Sequence, residues 1–191
     1  MPVERARLGI LISGRGSNMA SLVEAAEAES CPYEVALVVA NVADAPGLAI
    51  AAAHGVPQVA FSHEGMHRED SDRLIDGALR DAGVTHVALA GYMRLLSPWF
   101  VERWRDRVVN IHPSLLPRHK GLDTHARALA SGDARHGCTV HLVTAALDDG
   151  PILAQAEVPV LPGDDPDALA ARVLIEEHRL YPRTVAQWVT A

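Results

Sequence analysis

The stretch Leu8-Gly9-Ile10-Leu11-Ile12-Ser13-Gly14-Arg15-Gly16-Ser17-Asn18-Met19 decides the fold. Residues 8–12 are apolar without alternation, which is the pattern of a strand buried on both faces. Residues 13–18 form a glycine-rich turn, and an Ala-, Leu- and Glu-rich helical stretch follows to about Glu29. Strand, glycine-rich turn and helix in this order suit an anion. Glycines let the backbone come close, and the free N–H groups opening a helix point at a phosphate. The turn is not G-x-G-x-x-G, because Met19 holds the place of the third glycine. It is not a P-loop either, since no Gly-Lys-Ser/Thr follows. A dinucleotide fold is therefore disfavoured. The plainer alternative is a tight turn with Ser17 or Asn18 capping the helix.

Working outward, the alternation continues. Strands are expected at 35–40, 58–61 and 84–90, with helices at 45–54 and 68–82 that end at Gly55 and Gly83. Apolar strands joined by helices imply a parallel sheet covered on both faces. Beyond residue 100 the pattern changes. Segments 107–112, 138–144 and 152–160 are strand-like but separated by turns, and 113–136 has little strand character and reads partly as a mobile loop. Two closing helices are expected, at 164–178 and 181–189, with Pro182 in the first turn of the second. The expectation is a single α/β, Rossmann-like domain over 1–191. Its N-terminal half is parallel βαβ, and its C-terminal half adds antiparallel strands to give a mixed sheet.

Composition fits an ordinary globular chain: 191 residues, 49% hydrophobic and 21% charged. A net charge of −7 argues against a general nucleic-acid binder, while leaving room for small anions met by a local cluster. No apolar run reaches the roughly 20 residues that span a bilayer, and the first residues lack a signal-peptide pattern. Two cysteines, Cys31 and Cys138, are too few for a disulfide framework, so a reducing, cytoplasmic setting is expected. Ten histidines invite a metal reading. No H-E-x-x-H or paired-cysteine spacing occurs, so no metal is expected. No G-x-S-x-G elbow occurs either.

The strongest local signal is Val108-Val109-Asn110-Ile111-His112-Pro113-Ser114. Side chains alternate along a strand, so Val108, Asn110 and His112 share a face, and Pro113 ends the strand just past them. An amide and an imidazole then lie side by side at a strand's C-terminal end, where open α/β sheets bind ligands. The alternative is a hydrogen-bonded core pair. Leu147-Asp148-Asp149-Gly150-Pro151 reads by itself as a surface turn. His141, on a strand face shared with Val143, is as consistent with packing as with a site.

Taken in order, several motifs resemble one family. They are the Gly-Ser-Asn turn at 16–18, Ala90-Gly91-Tyr92-Met93-Arg94-Leu95-Leu96-Ser97-Pro98, Asn110-Ile111-His112-Pro113-Ser114-Leu115-Leu116-Pro117, His136-Gly137-Cys138-Thr139-Val140-His141, Leu147-Asp148-Asp149-Gly150-Pro151-Ile152, and Glu177-His178-x-x-Tyr181-Pro182. The set is similar to phosphoribosylglycinamide formyltransferase, the folate-dependent enzyme of purine synthesis, over nearly the whole chain. The resemblance implies 10-formyltetrahydrofolate as co-substrate and glycinamide ribonucleotide as acceptor, with no nucleic acid and no membrane; a homodimer is compatible with it. It implies Asn110, His112 and Asp148 as catalytic groups, and Gly16, Ser17 and Asn18 on the ribonucleotide phosphate, with Glu177 nearer the glycinamide end. It implies a folate site along Met93, Arg94, Leu95, Leu96, Asn110, Thr144, Ala145, Ala146, Leu147 and Asp148, with Arg68 and Arg94 facing the folate's carboxylates and pterin-side groups. Proximity of Asp148 to His112 comes from the resemblance alone.

The implied chemistry suits these residue types. An amine attacking an N-formyl carbon builds up an oxyanion, which an amide N–H and an imidazolium stabilise. A carboxylate beside an imidazole favours its proton-donating form. The sequence also departs from the pattern. Leu174 stands where some members carry a polar residue on the ribonucleotide, Arg118-His119-Lys120-Gly121 lacks a proline before the glycine, and Asp149 replaces a common glycine. Rival readings are another 10-formyltetrahydrofolate enzyme (a deformylase, or a transferase to a different amine) and a non-catalytic folate- or nucleotide-binding module.

Overall fold

A computed structural model describes residues 5–191. The chain order is β1 (Ala6–Ile12), α1 (Ser17–Ala26), β2 (Tyr33–Ala40), α2 (Gly47–Ala53), β3 (Gln58–Ala60), α3 (Arg68–Asp81), β4 (His86–Leu89), α4 (Pro98–Arg103), β5 (Val108–His112), α5 (Thr124–Ala130), β6 (Arg135–Leu142), β7 (Ile152–Pro159) and α6 (Pro166–Trp188). The strands form one seven-stranded sheet ordered β3-β2-β1-β4-β5-β6-β7. Strands β1 to β5 run parallel, and β6 and β7 add antiparallel. The expected fold class is the observed one.

Two apolar layers flank the sheet, as strand alternation requires. Leu8, Ile10 and Ile12 of β1 point to the layer built with α1 and α6, where Met19, Leu169 and Tyr181 are fully buried. Leu11 points the other way, to Ile75 and Leu79 of α3 and Phe100 of α4. The chain leaves β1 toward β2 on one side and reaches β4 on the other. The loops after β1 and β4 therefore diverge at a topological switch point and leave a crevice between them. Among the described residues, no helix is long and apolar enough to cross a membrane.

The observed elements differ from the expected ones at three places. The two closing helices are one, α6, with Pro182 inside it. An interior proline removes an N–H from the ladder, but α6 buries a continuous stripe from Leu169 to Val185, and packing holds it together across the break. Within 113–136, only partly loop as expected, α5 occupies Thr124–Ala130, and β6 begins at Arg135, earlier than the strand expected from residue 138. Helix α4 was not anticipated, although Ser97 caps it by accepting from Phe100 N at 3.2 Å and Pro98 opens its first turn.

Candidate active site

Strand β5 ends in the crevice. Val108 is covered by the α3–α4 layer, and two residues later on the same face Asn110 is only half-buried. Antiparallel pairing with β6 sets Asn110 opposite His141 and His112 opposite Thr139. The Asn110 amide nitrogen lies 3.3 Å from His141 Nε2, while His141 Nδ1 donates to the Leu142 carbonyl at 2.9 Å. That pairing leaves Nε2 as the acceptor and orients the amide. Burial lowers the His141 pKa, which keeps the ring neutral for this role.

The turn after β6 brings the distant carboxylate in. At Gly150 a Cβ would strike the Leu142 carbonyl, so only glycine lets the turn fold back this closely. Asp148 adopts left-handed backbone, φ 48°. Its Oδ2 sits 3.4 Å from His112 Nδ1 and its Oδ1 3.7 Å from His141 Nε2. Asp148 is not a solvated turn residue as its motif alone suggests: it is 9% exposed and accepts from Gly121 N at 2.9 Å. His112 Nε2 meets the His119 carbonyl at 3.0 Å. Both ring nitrogens thus face acceptors, an arrangement that the doubly protonated ring satisfies with two donors.

His119 had no signal in the sequence. Its backbone φ is 52° and its side chain pairs with Asp133 at 2.7 Å. Behind it, His125 Nδ1 and His136 Nε2 lie 3.1 Å apart. Burial, helped by the neighbouring histidines, pushes His136 down to about 4.

The other end of the crevice is the start of α1. Gly16 is its N-cap, in left-handed backbone at φ 73°, and neither Ser17 nor Asn18 provides a side-chain cap. The plain capping alternative is therefore not what the turn does. A Cβ on Gly16 would come within 2.9 Å of Gly47 Cα and of Met19 Cε. Asn18 Oδ1 is buried without a hydrogen-bond partner, and Asn18 lies beside Glu177 of α6. Burial raises the Glu177 carboxyl to about 7, with Asn18 opposing the shift. Glu177 thus stands at the α1 end of the crevice. A protonated carboxyl there is compatible with a neighbouring anion.

Between these ends runs the segment 91–97. Met93 N donates to Ser13 Oγ at 2.8 Å, tying the loop after β4 to the loop after β1. Met93 is 69% and Leu95 49% exposed, while Leu96 is half-buried. Thr144, Ala145, Ala146 and Leu147 are exposed on the turn that carries Asp148. Arg68 is exposed at the start of α3. The Arg94 guanidinium turns inward, with Nη2 3.4 Å from the Met66 carbonyl and Nη1 buried. The structure thus brings Asn110, His112 and Asp148 into one cluster and sets Gly16, Ser17, Asn18 and Glu177 into another.

A model of the formyl transferase family matches residues 6–185. The phosphoribosylglycinamide formyltransferase of Escherichia coli K12 is 42% identical over 182 residues, 93% of this chain and 84% of that protein. The chain belongs to the phosphoribosylglycinamide formyltransferases. The crystal structure of the family member from Brucella melitensis superposes with a TM-score of 0.93 at 48% identity, covering 98% of this chain and 97% of that one. The trifunctional purine biosynthetic protein adenosine-3 of Drosophila pseudoobscura pseudoobscura is 44% identical over 95% of this chain. The chain spans only 14% of that much longer relative.

Proposed function

We propose that this chain transfers the formyl group of 10-formyltetrahydrofolate to the amine of N1-(5-phosphoribosyl)glycinamide, a step of de novo purine biosynthesis. The observation that carries this reading is the convergence at the end of β5. An amide held by His141, an imidazole and a carboxylate 3.4 Å from that imidazole sit in a crevice whose other end is an uncapped helix N-terminus. Residues Gly16, Ser17 and Asn18 hold the phosphate with backbone N–H groups, and Glu177 lies nearer the glycinamide end of the same ligand. The folate lies along Met93–Leu96 and Thr144–Asp148, where exposed apolar side chains cover its rings and Arg68 reaches its carboxylates. By this division, about 1–100 is the half that binds the ribonucleotide phosphate and about 101–191 the half that carries catalysis and folate binding.

The amine nitrogen attacks the formyl carbon, and the carbonyl oxygen becomes an oxyanion. Asn110 Nδ2 and the His112 imidazolium donate to it, and removal of one such donor typically costs about 10²–10³ in rate. Asp148 stabilises the imidazolium and helps the amine proton leave. The bond from the formyl carbon to folate N10 then breaks, and N10 gains the proton that the amine lost. Products are the formylated ribonucleotide and tetrahydrofolate. The contact of His112 Nε2 with the His119 carbonyl must open for His112 to reach the oxyanion. The reading places the enzyme in the cytoplasm. Each chain carries a full trio, so a homodimer would hold two sites.

The test is the rate of tetrahydrofolate formation with and without the ribonucleotide. Formation that requires the ribonucleotide is expected. Equal formation without it, with release of formate, would mark a deformylase. No formation at all would leave a binding module.

A further inference from the structure

Under the proposed folate segment lies a buried polar cluster that the reaction as described does not use. Asp72 is fully buried on α3, among Ile75 and Leu79 on the apolar face of the helix. Its Oδ2 accepts from Ser97 N at 2.6 Å, a short charge-assisted bond. Its Oδ1 has no partner, and neither do the Tyr92 hydroxyl and Arg94 Nη1, all buried. These groups feel one another. The Asp72 charge acts on the Tyr92 hydroxyl, and Arg94 acts on both. Burial is the main cause of the raised Asp72 pKa, against which Ser97, Arg94 and Arg68 all pull.

Such an arrangement is a poor way to gain stability. Buried ions with unmet hydrogen-bonding capacity cost free energy, and well-packed apolar residues in their place are often neutral or better. Departures of that kind concentrate where function sets the geometry. The geometry here is that of residues 91–97. Met93 N rests on Ser13 Oγ at 2.8 Å and Ser97 N on Asp72 at 2.6 Å. Tyr92, just before the first pin, and Arg94, between the two, point inward, while Met93 and Leu95 face out.

We infer that Asp72 is a positioning residue for folate binding: by holding Ser97 N and drawing Arg94 inward, it fixes the curve of residues 91–97 that presents Met93 and Leu95 to the ligand. This rests on the folate reading given above. Asp72 does not touch the reacting atoms, so its effect falls on one substrate only.

The experiment is steady-state kinetics and thermal melting of Asp72→Asn, Asp72→Ala and Arg94→Gln in the full chain. Asparagine keeps an oxygen for Ser97 N and loses only the charge, so Asp72→Asn remains informative if the alanine variant fails to fold. Loss of a charge-assisted buried contact is expected to raise KM for 10-formyltetrahydrofolate about tenfold. The KM for the ribonucleotide should stay unchanged and kcat within about threefold. Asp72→Asn with Arg94→Gln should cost no more than the larger single change, because the two act as one device. A melting temperature that falls with the folate KM unmoved would overturn the inference and leave Asp72 a strut of the fold. Equal rises in both KM values would overturn it as well. A wild-type chain that uses no 10-formyltetrahydrofolate would instead defeat the folate reading, and this inference with it.

Discussion

Replacing Asp148 by asparagine isolates the charge from the shape. The side-chain oxygen that accepts from Gly121 N at 2.9 Å is retained. Asparagine also tolerates the left-handed backbone that Asp148 adopts at φ 48°. What disappears is the carboxylate 3.4 Å from His112 Nδ1. At that separation and an effective dielectric constant of about 20, unit charges attract by about 5 kcal/mol, or between three and four orders of magnitude in rate if all of it acts in the transition state. Some of this returns through the remaining polar side chain, so a kcat loss of about a thousandfold is expected. Dissociation constants should stay within about tenfold, since the phosphate is held at the start of α1 and the folate mainly by the Met93–Leu96 segment. Adding His112→Ala to the variant should cost far less than the two separate losses combined, because groups that act as a unit are not additive. Stopped-flow or steady-state turnover with saturating substrates gives kcat, and calorimetry gives both affinities. A folded Asp148→Asn chain that binds both substrates and turns over near the wild-type rate would refute the imidazolium–carboxylate mechanism.

Gly16→Ala places a Cβ 2.9 Å from Gly47 Cα in left-handed backbone, so KM for the ribonucleotide should rise at least tenfold, with folate affinity nearly unchanged in calorimetry. A reversed pattern would mean that the two subsites are exchanged. Arg68→Ala should weaken folate binding by a few-fold at low salt and by less at high salt, because an exposed ion pair is screened; titrations at two ionic strengths decide it. Glu177 has a folded pKa of about 7, above the ordinary value of 4.5, so the native state binds the extra proton and stability is lost as pH rises from about 4.5 to about 7. That loss is about 3 kcal/mol, or roughly 6–12 °C in melting temperature for a chain of this size. In Glu177→Gln this share of the pH dependence should vanish, and an identical melting profile for the two proteins would show that the carboxyl ionises freely.

The parallel half of the sheet was legible because both faces of each strand are covered, and continuous apolar runs such as 35–40 have no other ready home. Asn110 and His112 were legible for the opposite reason. Two polar residues with strand spacing, stopped by Pro113, break a buried pattern where a ligand crevice is expected. Asp148 was not legible from spacing, because its approach to His112 depends on the antiparallel return of β6 and on the close turn at Gly150. Pro182 misled because propensity is local, whereas α6 is held by a packed stripe on both sides of it. For α4 the signal was present in Ser97-Pro98, a capping residue followed by proline. His141 needed the β5–β6 register to set it against Asn110. Asp72 and Asp76 carried a readable hint, as carboxylates on the same helix face as Ile75 and Leu79. The backbone contact of His119 with His112 carries no sequence signal, since any residue could supply that carbonyl.

The central claim concerns where one carbon atom goes. Incubating the protein with 10-formyltetrahydrofolate labelled with ¹³C at the formyl carbon, together with glycinamide ribonucleotide, and following the label by NMR tests it directly. The expected result is a formamide signal on the glycinamide nitrogen that grows in step with tetrahydrofolate and is lost in an Asn110→Ala, His112→Ala double variant. Label accumulating as free formate, at a rate indifferent to the ribonucleotide, would contradict it.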